Sequence, residues 1–149
     1  MSSHATLSVC TRCRPPGWTG PDAERPGAML AHEMEAELER GALAHPIVFR
    51  RVHCMSQCLR PCVISLSDPA RYAYVFGDLA PGLHAADVLR TIDLWLTEPE
   101  GYLTRPQRPA SMRTGILGRV PPLDSSHDLV VSRRSFPAGP RSPTDRLGD

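Results

Sequence analysis

Two short strand-forming runs, joined through one helix and each delivering the chain to a cysteine cluster, do most to restrict how this sequence folds. Ala5–Val9 leads into Cys10 and Cys13, and Ile47–Val52 leads into Cys54 and Cys58. Between them, Pro26 and Gly27 open a helix that runs to Arg40. Leu30, Met34 and Leu38 fall on one side of it, and Gly41 is placed to end it in a left-handed cap. A strand–helix–strand unit within one sheet predicts parallel strands and a right-handed crossover. Parallel neighbours have adjacent carboxyl ends, so both cysteine loops are expected at one rim of the sheet. Open α/β sheets leave room for ligands there.

The remaining elements complete a small α/β domain. Cys62–Leu66 and Tyr72–Phe76 read as strands of an antiparallel hairpin turned at Asp68 and Pro69. A second helix is expected over about Ala85–Leu96, with Val88, Leu89, Ile92, Trp95 and Leu96 as its apolar stripe and Trp95 as a core anchor. The expected fold is a mixed four-stranded sheet with helices packed on it. From about Gly101 the chain becomes Pro/Arg-rich, with at most a short helix near Ser111–Leu117. Residues 1–124 are therefore taken as one domain carrying this extension, and the Ser/Pro/Arg-rich residues 125–149 as a disordered tail.

Charge and composition exclude several classes. With 17 basic and 16 acidic side chains, nothing calls for nucleic acid or an anionic membrane as partner. Every basic side chain is Arg, so Schiff-base and P-loop lysine chemistry is absent. MSSHATLSVCTRC has no basic n-region and no apolar h-region, so no signal peptide is expected. No apolar run approaches the roughly 20 residues that a membrane-spanning helix needs. The expected location is the cytoplasm, where thiols stay reduced unless a metal holds them.

The five cysteines are spaced C-x2-C and C-x3-C-x3-C: Cys10, Cys13, then Cys54, Cys58 and Cys62. Their odd number and tight grouping argue against a disulfide framework, whereas short thiol-bearing loops favour soft metals. If the two strands are parallel neighbours, the thiols of Cys10, Cys13, Cys54 and Cys58 converge, and the Pro/Gly-rich loop after Cys13 can fold over them. Cys62, at the start of a strand, reads as a small buried hydrophobe, with a ligand role as the alternative. The six histidines join no nucleophile motif. His53 alone lies beside a cysteine, as an alternative ligand or a hydrogen-bond donor to sulfur. Glu33, Glu35, Glu37 and Glu39 read as a solvated helix face, and Asp78 as a turn residue. Arg12, Arg14 and Arg60 flank the cysteines, where they would offset thiolate charge or receive an acidic redox partner. Binding or electron transfer is expected here rather than catalysis.

The segments V-C-T-R-C-R, V-H-C-M-S-Q-C-L-R-P-C-V-I-S-L and Y-V-F-G-D-L resemble a bacterial family of predicted metal-binding proteins of unknown function. That family is itself similar to thioredoxin-like 2Fe–2S ferredoxins. The resemblance spans roughly Thr6 to Pro122 and includes the R-P-x-x-x-R-x-G-I-L-G-R-V-P-P segment that begins at Arg108. It implies a thioredoxin-like fold and a dimeric electron carrier with an unknown redox partner. It also implies a 2Fe–2S cluster held by two cysteines from each loop: Cys10 and Cys13, Cys54 and Cys58. The second pair matches the ferredoxin C-x3-C spacing; the first departs from it, because the ferredoxins space their first two ligands much further apart.

Two alternatives stand beside the cluster. Paired short-spaced cysteines also build tetrahedral structural zinc sites, although C-x3-C is not the usual zinc-knuckle spacing. A thioredoxin-like dithiol at Cys10 and Cys13 needs a helix N-terminus against the nucleophile to lower its pKa. The Pro/Gly loop before the first helix predicts that this support is missing.

Overall fold

The computed structural model describes residues 4–140. Five strands form one mixed sheet in the order β2-β1-β3-β4-β5, with β1 at Thr6–Cys10, β2 at Val48–Val52, β3 at Ile64–Ser67, β4 at Ala73–Phe76 and β5 at Ile116–Val120. Helix α1 (Pro26–Glu39) links β1 to β2, α2 (Ala85–Thr97) follows β4, and the one-turn α3 (Ala110–Thr114) precedes β5.

β1 and β2 are parallel, with Cys10 opposite Val52, so the last residues of the two strands stand side by side. The Thr11 amide extends the ladder by donating to the Val52 carbonyl at 2.8 Å. β1 also pairs antiparallel with β3, β3 with β4, and β4 with β5. The strand–helix–strand unit followed by the antiparallel hairpin and α2 is a thioredoxin-like arrangement. It follows from the sequence, because a helical crossover imposes parallel pairing and a short turn imposes antiparallel pairing.

The core is built on the central strand. Leu7 and Val9 of β1 are fully buried together with Leu30 and Met34 of α1 and Ile64 and Leu66 of β3. α1 ends as its sequence predicts: Gly41 has φ +79°, its amide bonds the Leu38 carbonyl and that of Ala42 bonds Glu37, closing the orphan carbonyls in a Schellman motif. Trp95 is the expected anchor, fully buried, its indole N–H donating to the Tyr72 carbonyl at 2.7 Å. The glutamate face of α1 is less solvated than expected. Glu33 accepts the Gly82 amide at 2.7 Å, and Glu35 pairs with Arg51 at 2.5 Å.

The sheet has five strands, not four. Ser111–Leu117 is not a helix throughout: α3 stops at Thr114, and Ile116–Val120 becomes an edge strand on β4, with a register irregularity at Val75/Phe76. An edge strand tolerates the Gly118 gap and the flanking prolines that disguise it in the sequence. The extension is tied in by packing as well. Leu103 and Met112 are fully buried, and the Leu103 amide donates to the Tyr74 hydroxyl at 2.9 Å. No helix among the described residues is long and apolar enough to cross a membrane.

Residues 125–140 form no helix or strand, yet Ser125 donates to the Glu100 carboxylate at 2.9 Å and the His127 ring lies 4.2 Å from that of Tyr102. Residues 141–149, the rest of the expected tail, lie outside the described residues.

Candidate metal centre

Cys10 closes β1, and Cys13 follows after a tight turn. Both are buried, at 3% and 5% exposure, and neither is in a disulfide. Burial pushes the Cys13 thiol well above the usual cysteine range, and the proximity and negative charge of Cys10 push it further. The Cys10 thiol also reaches the backbone carbonyl of His53 at 3.7 Å. His53 therefore meets the site through its carbonyl oxygen.

Cys54 and Cys58 lie in the loop between β2 and β3 and are exposed. The loop is shaped locally by Ser56, whose φ of +57° lets its amide donate to Cys54 Sγ at 3.3 Å.

All four thiols line one cavity of about 470 Å³. Met55 and Gln57 contribute to its wall, and the loop Pro15–Thr19, with Trp18, lines it as well. Among its lining residues there is no carboxylate and no imidazole; the charged ones are Arg12, Arg14 and Arg25. The ionisable donors are therefore all sulfur, which suits zinc or an iron–sulfur cluster better than hard cations. Among the described residues, no three Cys, His, Asp or Glu side chains converge closely enough to grip a single ion. The buried pair and the exposed pair face a common space without closing on it.

Cys62 stands apart from that cavity. It is 1% exposed and lines a smaller apolar pocket of about 250 Å³ with Pro15, Pro26, Pro61 and Leu79. Burial, with the nearby charge of Cys10, pushes its thiol up to about 12. The buried-hydrophobe reading describes its surroundings.

The structure changes two sequence expectations about the site, those on Arg60 and on the Pro/Gly loop, and adds one residue to it. Arg60 does not face the cavity; it pairs with Asp78 and donates to the Thr114 carbonyl at 3.3 Å. Arg25 does line it, although it lies twelve residues after Cys13 with no local signal to mark it. And the Pro/Gly loop does not hold α1 away from the cysteines. It doubles back, so that the Gly27 amide donates to the Cys13 carbonyl at 3.0 Å. The helix end thus meets the backbone of the turn, while the Cys13 thiol stays raised by burial.

A family model described as "Protein of unknown function (DUF1636)" matches residues 7–122. The chain belongs to that family. The matched DUF1636 region includes all five cysteines and ends just after β5. No curated protein matches the sequence. Three solved structures of the thioredoxin-like [2Fe-2S] ferredoxin from Aquifex aeolicus are similar to this chain. One is 17% identical, covering 83% of this chain and 99% of the ferredoxin, with a TM-score of 0.49. The wild-type crystal structure is 18% identical over 78% of this chain and 99% of its own, also at 0.49. A Cys55Ser variant is 23% identical over 64% and 91%, at 0.43.

Proposed function

We propose that this DUF1636 protein holds a 2Fe–2S cluster through Cys10, Cys13, Cys54 and Cys58 and carries single electrons to a partner protein in the cytoplasm. The observation that carries this reading is the common cavity: four cysteines, from loops at the paired ends of β1 and β2, with no carboxylate or imidazole among the lining side chains. The cluster would supply the redox chemistry; the protein supplies ligation, shielding and charge compensation. Cys10 and Cys13 are held ready by the sheet end and the α1 turn. Cys54 and Cys58 sit on the exposed loop, the part free to close over the centre. Trp18 and the prolines limit water at the cavity wall, and three guanidiniums offset the charge of the thiolates.

The test is anaerobic purification, a visible spectrum, and assays of iron, acid-labile sulfide and zinc. A brown protein with matched iron and sulfide is expected. A colourless protein with one zinc would replace the cluster with a structural metal. A metal-free protein with a reversible Cys10–Cys13 disulfide would replace it with thiol redox chemistry. Cys54→Ser or Cys58→Ser should abolish the centre and Cys62→Ser should leave it; bleaching by Cys62→Ser alone would show that the ligand set is wrong.

A further inference from the structure

The charge around the cysteine cavity has one sign only. Arg12, Arg14 and Arg25 line it and no carboxylate does. Arg25 is partly neutralised by Asp22 at 2.9 Å, but Arg12 and Arg14 are exposed and form no ion pair among the described residues. Arg14 donates only to the Trp18 carbonyl, at 3.5 Å. Some arginines elsewhere are matched with acids, as Arg40 is with Glu37, Arg51 with Glu35, Arg60 with Asp78 and Arg71 with Asp68, while others, such as Arg108 and Arg113, bond backbone carbonyls. The whole chain carries a net charge of only +1, so a cavity whose charged lining is arginine alone is more positive than the chain as a whole. Beside it, on the loop that carries Cys54 and Cys58, Leu59 is 90% exposed, while its neighbour Met55 is half-buried. Guanidiniums lining the thiol cavity, with an exposed leucine next to Cys58 in the chain, form a surface fitted to a partner rather than to solvent.

We infer that the mouth of the cysteine cavity is a docking face for an acidic protein surface, with Arg12 and Arg14 steering the approach and Leu59 supplying the apolar contact. A cavity lined by low-dielectric walls and one sign of charge concentrates opposite charge at its mouth. Nucleic acid is the less suited polyanion, because two free arginines at one opening do not track a phosphate backbone. That the partner is a redox protein rests on the proposed metal centre; the preference for acidic surfaces does not.

The test uses the full chain, reduced and stripped of metal. Exposed thiols are reacted with dianionic dithiobis(nitrobenzoate) and with neutral dithiodipyridine; in each case a thiolate displaces one aryl thiolate from the reagent disulfide. The ratio of the anionic to the neutral rate cancels thiol reactivity and reports local charge. It is expected to fall about threefold or more between low salt and high salt. Arg14→Gln should lower it about twofold at low salt, whereas Arg40→Gln, an equal charge change at the far end of α1, should not. Polyglutamate should slow modification of Cys54 and Cys58 in low salt, and Leu59→Ser should weaken that protection. A ratio indifferent to salt and to Arg14 would overturn the inference, as would protection by a single-stranded oligonucleotide but not by polyglutamate. If the charge preference is found in a protein that binds no cluster, the docking face stands and the electron-carrier reading falls.

Discussion

The backbone amide of Gly27 donates to the carbonyl of Cys13, and this single bond seats the first turn of α1 against the cysteine turn. The approach leaves no room for a side chain. A Cβ at Gly27 would overlap the Cys10 carbonyl oxygen and stand 3.0 Å from the Cys13 amide nitrogen and 3.1 Å from its Cβ. Two of these three neighbours are backbone atoms, which cannot rotate away.

Gly27→Ala is therefore expected to force the helix and the turn apart. Ala normally stabilises a helix by up to about 1 kcal/mol over Gly. Here overpacking opposes that gain, with a typical penalty of about 1–3 kcal/mol. The net prediction is a lower denaturation midpoint together with weaker metal retention. A variant as stable as the parent would mean that the turn yields easily and that α1 does not position it.

Thiol accessibility divides the five cysteines into two classes. Cys54 and Cys58 are exposed, while Cys10, Cys13 and Cys62 are buried. In metal-free, reduced protein, two thiols per chain should react rapidly with an alkylating reagent, and the others only as fast as the structure opens. Peptide mapping by mass spectrometry assigns them. Labelling of Cys13 at the rate of Cys54 would contradict the buried turn.

Cys62 should leave a signature in alkaline stability. Its thiol is pushed from 9.0 to about 12, first by burial and then by the charge of Cys10. Between those pH values the unfolded chain has lost the proton that the native chain keeps. The unfolded state then binds fewer protons, so stability falls as pH rises; below pH 9 both states are protonated and the slope vanishes. The steepest loss attributable to one such thiol is about 1.4 kcal/mol per pH unit. Denaturant midpoints of metal-free protein, measured across that window, should fall less steeply in Cys62→Ala than in the parent.

The parallel pair at the heart of the site was legible because Ala5–Val9 and Ile47–Val52 are β-forming runs separated by a capped amphipathic helix, a combination with few topological solutions. The cavity follows from that pairing, since Cys10 opposite Val52 puts both loops at one rim. What stayed hidden was set by tertiary placement. Arg25 reaches the cavity only because the Pro/Gly loop doubles back, and Arg60 leaves it only because Asp78 lies within ion-pair distance. β5 stayed hidden because Gly118 and Pro121 suppress a strand signal that pairing with β4 restores.

That last element yields a prediction of its own, because a Pro/Arg-rich appendage and an integral edge strand respond differently to substitution. Met112 and Leu103 are fully buried although both lie beyond Gly101, where the composition reads as linker. Truncating a buried Leu or Met to Ala typically costs about 2–5 kcal/mol through lost burial and the cavity left behind. Met112→Ala and Leu103→Ala should each fall in that range. Leu123→Ala, at 88% exposure just past β5, should change stability by less than about 0.5 kcal/mol. Because β5 also covers one side of β4, deleting residues 116–140 should expose the β4 backbone and drive association between chains. Size-exclusion chromatography of the truncated chain checks this; a monodisperse, equally stable product would make the extension an appendage after all.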